Sequence, residues 1–370
     1  MNILFNYMGT DGAGRLIALS LAKAMKKNKC NVYAVLSANV AGNEEWISEF
    51  GKKNICFVTN YQNKNKIDFA VKTLKFPLWT SKYISNFFGS LVFDFVLRPM
   101  YHHWAHMIEN AINYNSVITI CHNPEMHSDE KQYLRYLYKK HICQSDKVIV
   151  LTKSYIPLIE REYGYPVSRI KYVPLGLMDE YDKYISHPLV PPYDESCINF
   201  LFFGLIRRYK GLHVLIRAFK KVFAIRNSIT LRIIGAGDLE EYSKELSDLS
   251  NVYIENRYVD DSEVSSIFSG PNVVVVLPYI DACQSGVIQV AYQYENTIIA
   301  SDVSVLKEQL DEGNIGIFFK VEDEEDLANK MIEVIDNPKL REKQRELIHL
   351  YKKKLDWKKI ALDIITFAKG

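Results

Sequence analysis

Two cationic side chains in one glycine-bounded turn, Phe203-Gly204-Leu205-Ile206-Arg207-Arg208-Tyr209-Lys210-Gly211, carry the strongest chemical signal in this chain of 370 residues. An apolar run precedes the turn, and Leu212, Leu215, Ile216, Phe219 and Val222 follow it at helical spacing. The pattern predicts a strand, a turn and a helix. In such a turn Arg207 and Lys210 can hold a diphosphate, while Gly204 and Gly211 let the backbone pass close to it.

Three further runs end apolar segments with residues suited to a ligand. Gly9-Thr10-Asp11-Gly12-Ala13-Gly14-Arg15 precedes a helix, so the first amides of that helix could meet a phosphate or a sugar. It lacks the complete spacing of a dinucleotide-binding turn. In Ile118 to His127, His122 stands where an open parallel sheet would place a substrate, although a lone histidine is more often structural. In Leu277 to Val287, the amides of Ser285, Gly286 and Val287 would open a helix and point at an anion. Ordinary capping by the Ser285 hydroxyl explains the same residues without a ligand.

The elements that must position these groups alternate in a β-α-β rhythm. Strand-like runs at Ile3–Tyr7, Val32–Leu36, Ser116–Cys121 and Lys147–Leu151 interleave with helical patterns. A second series follows at Ile198–Phe203, Thr230–Ile234, Val252–Glu255, Val273–Leu277 and Thr297–Ser301. The expected class is α/β, with two Rossmann-like domains built on parallel sheets. A proline-containing, aperiodic stretch from Met178 to Cys197 reads as a linker. The domains expected are therefore 1–178 and 179–354, and a terminal helix follows at 355–370.

Bulk composition agrees with two cores, since one core stops growing at roughly 250–300 residues and 48% of this chain is hydrophobic. The N-terminus lacks the flanks of a secretory signal, and no run approaches the length of a membrane span. The six scattered cysteines give no paired spacing for a disulfide framework or zinc site. His102, His103 and His106 cluster beside Tyr101 and Trp104, which suits packing better than a metal. No metal, cofactor or nucleic acid is expected, and the location read from these features is cytoplasmic.

Charge is uneven. Residues 1–180 carry 22 Lys and Arg against 15 Asp and Glu, and the remainder carry 24 against 29. A basic first half suits an anionic membrane surface or a phosphorylated acceptor, and equally a merely solvated surface. Between 71 and 104, lysines are interleaved with Phe76, Leu78, Trp79, Tyr83, Phe87 and Phe88. Such a helix belongs either at a membrane interface or packed on a core.

In order and position these motifs resemble the retaining glycosyltransferases of family 4, within the group 1 glycosyl transferases, which have the GT-B fold. The residues carrying the resemblance are Gly12 to Arg15, Thr119 to His127, Asp146 to Thr152, Lys171 to Gly176, Phe203 to Gly211, Ile233 to Gly237, Leu277 to Val287 and Ile298 to Asp302. The resemblance implies two Rossmann-like domains facing each other across a cleft, with the terminal helix crossing back to the first. It implies a nucleotide-diphosphate sugar, UDP-linked first, held mainly by the second domain. Arg207 and Lys210 would grip the diphosphate. Gly204, Asp281, Gln284, Ser285, Gly286 and Val287 would complete the donor site, with Gly12 and Gly14 approaching from the first domain. His122 would sit beside the transferred sugar, giving a catalytic set of His122, Arg207 and Lys210.

The implied reaction is metal-independent transfer, with retention, to a saccharide or lipid-linked acceptor in bacterial surface polysaccharide synthesis, at the inner face of the membrane. One departure is plain. The family's pair of glutamates is missing, with Asp281 nearest the first and Val290 or Ala291 in the place of the second. That absence keeps two alternatives open: a non-catalytic sugar-nucleotide-binding partner subunit, or a sugar-nucleotide epimerase.

Overall fold

A computed structural model describes residues 1–370 except 11, 41, 60–65, 125–131, 185–187, 190 and 283. Asp11, Glu125, Met126, His127, His187 and Cys283, all within runs singled out above, lie outside the described residues. The chain divides into two compact units, Met1–Gly176 with Leu355–Gly370, and Leu177–Lys354.

The first unit is built on seven parallel strands: β1 Asn2–Asn6, β2 Asn31–Ser37, β3 Ile55–Val58, β4 Phe95–Arg98, β5 Val117–Cys121, β6 Lys147–Val150 and β7 Ile170–Tyr172. Their order is β3-β2-β1-β4-β5-β6-β7. Ile3 pairs with Val32 on one side and Phe95 on the other, which fixes the register of the centre. Continuous apolar runs fit this arrangement, because crossover helices cover both faces of a parallel sheet. Leu4, Val35, Phe93, Val96 and Trp104 share one core with Phe76 and Ile84.

The second unit has six parallel strands: β8 Ile198–Phe203, β9 Ile229–Ile234, β10 Val252–Glu255, β11 Val273–Leu277, β12 Thr297–Ser301 and β13 Ile317–Phe319. Their order is β10-β9-β8-β11-β12-β13. Phe200 pairs with both Leu231 and Val274. The strand order therefore reverses between β8 and β11, and the segments leaving their carboxyl ends emerge side by side. Those segments are Gly204–Gly211 and Pro278–Ser285, the position where doubly wound sheets bind ligands. The expected α/β class with parallel sheets in two units is what the structure has.

The stretch 178–197 was read above as a linker, but its described residues include several that pack within the second unit. Tyr181 is buried, Asp182 accepts from the Tyr294 hydroxyl at 2.9 Å, and the Tyr193 hydroxyl donates to the Ile267 carbonyl at 2.6 Å. The Arg232 guanidinium stacks on Tyr193 at 4.3 Å. Proline-rich chain without period can still pack through scattered aromatics.

The terminal helix Trp357–Lys369 belongs to the first unit. Asp356 caps it by accepting from the Lys359 amide at 3.0 Å, and Lys147 Nζ donates to its last carbonyls, Phe367 at 2.6 Å and Ala368 at 3.1 Å. The Trp357 ring lies against Gly176 so closely that a Cβ there would meet it at 2.4 Å. Trp357→Ala should therefore cost the first unit about 3–5 kcal/mol, read as an earlier chemical denaturation midpoint. An unchanged midpoint would show that the helix contributes nothing there.

Candidate functional site

In the second unit the turn after β8 is fixed by backbone contacts before any side chain is considered. Gly204 has φ +106°, and Gly211 has φ +64° in the left-handed region. A Cβ on Gly211 would meet the Pro278 carbonyl oxygen at 1.8 Å, so the turn lies directly on the segment leaving β11. The Ile280 amide donates to the Tyr209 carbonyl at 2.7 Å and locks the two segments together. Within the turn, the Lys210 amide donates to the Arg207 carbonyl at 2.9 Å.

This packing aims Lys210 back across the turn. Its Nζ stands 5.3 Å from the centroid of the buried Tyr279 ring and 2.9 Å from where a Cβ on Gly204 would begin. Val287 Cγ2 lies 3.9 Å from that same point, so Gly204, Lys210 and Val287 converge. Among the described residues, neither Arg207 nor Lys210 has a carboxylate partner. Arg207 is exposed and Lys210 half-buried. A cation held against an aromatic face without a counter-ion is available to an anionic ligand.

The helix Gly286–Gln293 begins beside them. No side chain caps its N-terminus, although Ser285 occupies the capping position. The Ser285 hydroxyl instead lies 3.3 Å from the Tyr279 hydroxyl. Capping by Ser285, the plain reading of this motif, is thus not what the structure has. The Ser285 amide is not free for a ligand either, because it donates to Gln309 Oε1 at 2.8 Å. Of the three expected amides, those of Gly286 and Val287 remain at the open end of the helix. Gln284 is half-buried and Asp281 exposed on the same segment. Val290 and Ala291 are buried in the helix and supply no polar group where a second acid was sought.

In the first unit, β1 leads through Gly12 into the helix Ala13–Lys27, which likewise starts without a side-chain cap. Gly14 packs near Tyr7 and Met100, each 3.4 Å from where its Cβ would be. His122 follows β5, and its Nε2 lies 2.8 Å from the Pro99 carbonyl. A carbonyl only accepts, so Nε2 carries the proton and Nδ1 keeps its lone pair. Burial lowers the pKa of His122 below the usual histidine value, against the opposing pull of that carbonyl.

Behind His122 lies a buried polar network that sequence reading did not identify. Arg98 forks onto Glu109, Nε to Oε1 at 2.6 Å and Nη2 to Oε2 at 2.5 Å. Its Nη1 donates to the His141 carbonyl at 3.0 Å. Burial would raise the Glu109 carboxyl, but hydrogen bonds from Arg98 and His106 outweigh it and hold the group below its ordinary value. Asn6 donates to Glu109 at 2.9 Å and faces His102 Nε2 through its amide oxygen at 2.9 Å. Burial pushes His102 down to about 3 and His141 well below the usual range.

Tyr279 and Gln309 were also missed as site residues. Tyr279 sits inside a quoted motif, but a tyrosine after a strand gives no signal of its own. Gln309 lies on a different helix, Ser304–Gln309, and only the folded chain brings it to Ser285.

Comparison with known proteins gives this geometry a context. Residues 194–348, most of the second unit, match the family model of glycosyl transferases group 1. A phosphatidyl-myo-inositol mannosyltransferase of Mycolicibacterium smegmatis is 26% identical over 187 residues, 48% of this chain and 46% of that protein. An uncharacterized glycosyltransferase of Methanocaldococcus jannaschii is 26% identical over 237 residues, 62% of this chain and 61% of that protein. The chain spans about half the length of the curated relatives it matches. Among solved structures, Anabaena HepE in complex with UDP and glucose superposes with TM-score 0.74 at 14% identity, covering 100% of both chains. A glycosyltransferase from Rickettsia africae gives TM-score 0.73 at 14% identity, over 100% of this chain and 97% of that one. The fold is GT-B, as the sequence resemblance implied.

The buried histidines of the first unit make its stability depend on pH. Their folded pKa values lie below the unfolded value of about 6.5, so the unfolded chain takes up protons first as pH falls. Stability is fully present above about pH 6.5 and declines below it, for His102 down to about pH 3. Between pH 6.5 and 5 that residue alone should cost about 2 kcal/mol. Denaturant titrations of the full chain at pH 7 and pH 5, with His102→Gln as the comparison, should show a smaller pH effect in the variant. Equal effects would place the dependence elsewhere.

Proposed function

We propose, from the match of residues 194–348 to the family model of glycosyl transferases group 1, that this chain moves a sugar from a nucleotide-diphosphate donor to a hydroxyl of a saccharide or lipid-linked acceptor. The observation that carries the reading is Lys210, unpaired with any carboxylate among the described residues, set over Tyr279 and against Gly204 beside an uncapped helix N-terminus. A departing diphosphate gains negative charge as the glycosidic bond breaks. Lys210, Arg207 and the amides of Gly286 and Val287 would meet that charge in a site already ordered.

The stereochemical course proposed is retention. The acceptor oxygen attacks the anomeric carbon on the face the diphosphate leaves, and a diphosphate oxygen takes the acceptor proton. The glycosidic bond forms, the C–O bond to diphosphate breaks, and charge balances without a protein nucleophile or a metal. His122, neutral with Nδ1 as an acceptor, suits a hydrogen bond to a sugar hydroxyl better than proton abstraction. Gly12 and Gly14, at the start of an uncapped helix, would approach the donor with amides. A UDP-sugar is the first donor to try, since similar solved structures hold UDP. The mannosyltransferase relative makes nucleotide-linked mannose the second. Surface polysaccharide assembly is the role this chemistry fits.

One observation favours a second reading. Apolar Val290 and Ala291 stand where family members place an acid, which would suit a subunit that binds a sugar nucleotide without turning it over.

Lys210→Ala should leave the melting temperature nearly unchanged, because the side chain makes no ion pair, and should lower transfer about 10²–10⁴-fold. Product formation by wild type and variant, with UDP- and GDP-sugars and an acceptor panel, measures this. Near-wild-type turnover in the variant would remove Lys210 from the site. Nucleotide binding without transfer in the wild type would favour the non-catalytic reading, and donor conversion without acceptor would favour an epimerase.

A further inference from the structure

Between residues 66 and 88 three helical segments follow one another: Lys66–Lys75, a wide turn Phe76–Thr80, and Ser81–Phe88. Their inner side is ordinary core. Phe76, Ile84 and Phe88 are buried with Phe93, Trp104 and Ile108. The outer side is not ordinary surface, for Ile67, Leu74, Leu78 and Trp79 are 71–74% exposed. Val71 and Tyr83 are exposed beside them. Positions 67, 71, 74 and 78 follow the spacing of one helical face, so these side chains form a stripe and are not scattered. A contiguous apolar stripe left in water marks a surface that meets something else.

The charges around the stripe say what. Of the five charged residues from 66 to 92, four are lysines and one is Asp68. Asp68 is paired with Lys72 at 2.9 Å. Lys75 and Lys82 are exposed and bracket Leu78 and Trp79. We infer that this face docks on an anionic lipid bilayer, with Ile67, Leu74, Leu78 and Trp79 entering the boundary between headgroups and acyl chains and the lysines meeting lipid phosphates. Tryptophan suits that depth, having an apolar body and one N–H donor. Projecting apolar tips flanked by lysines in excess, the single Asp68 being paired with Lys72, fit a fluid, negatively charged layer better than a protein partner, which would need a matching groove and carboxylates. Among the described residues no helix is long and apolar enough to cross a membrane, so the contact is interfacial. The inference stands on the first unit alone and does not rest on the proposed transfer reaction.

Flotation of the full chain with vesicles, without nucleotide or acceptor, tests it independently of activity. Vesicles of phosphatidylglycerol and phosphatidylcholine should carry the protein, vesicles of phosphatidylcholine alone should carry much less, and added salt should weaken binding. The double substitution Leu78→Glu and Trp79→Glu, at exposed positions, should keep the melting temperature and reduce vesicle binding about tenfold or more. Lys75→Glu with Lys82→Glu should abolish the preference for anionic vesicles. Failure of the wild type to float with anionic vesicles would overturn the inference, as would undiminished binding by the Leu78/Trp79 variant. A dimer seen by light scattering that this variant dissolves, with no vesicle binding by wild type, would assign the face to a second copy of the chain.

Discussion

The candidate site of the second unit depends on a single ammonium group that has no carboxylate partner among the described residues. Lys210 stands over the Tyr279 ring and beside Gly204. A flexible lysine side chain is aimed in this way only where the turn beneath it is rigid. That rigidity comes from the backbone. The close approach of Gly211 to the Pro278 carbonyl and the bond from the Ile280 amide to the Tyr209 carbonyl fasten the turn before the side chain extends. Any Cβ at Gly211 would break that contact, which is why glycine is required at this point. Tyr279 is pinned in turn through its carbonyl, which accepts from the Ser301 hydroxyl at 2.5 Å.

The first unit meets a different constraint. Its carboxyl-edge segments are tied from behind by a charged fork, Arg98 on Glu109, sunk in a layer that would reject either charge alone. The same fork reaches the backbone of His141 and fixes the ends of strands and helices around His122. Burial holds His102, His122 and His141 below the usual histidine pKa. His122 presents Nδ1 because Pro99 occupies Nε2. The two units thus prepare opposite things, one a bare positive charge and the other uncharged acceptors.

Much of this was legible in the sequence. The β-α-β rhythm, the parallel sheets and the turn at Gly204–Gly211 follow from apolar period and glycine placement, because those patterns act locally. Three things were not legible. The capture of the Ser285 amide by Gln309 depends on a helix distant along the chain, and no local rule anticipates it. The Arg98–Glu109 pair joins two residues that look like ordinary surface charges until the sheet buries both. Residues 178–197 carry linker composition, yet Tyr193 anchors the stretch by donating to the Ile267 carbonyl and Asp182 by accepting from Tyr294. The aromatic segment from 71 to 104 was readable only as two alternatives. In the structure Phe76, Ile84 and Phe88 turn inward, which is core packing, while Leu74, Leu78 and Trp79 are exposed.

Thermal unfolding of the full chain with UDP and, separately, with uridine tests the central claim most directly, since the two ligands differ only in the diphosphate. If Lys210 and its neighbours form a site for that group, UDP raises the melting temperature and uridine at the same concentration barely does, and Lys210→Met narrows the gap. Equal shifts with both ligands, or a gap undiminished in Lys210→Met, would contradict it.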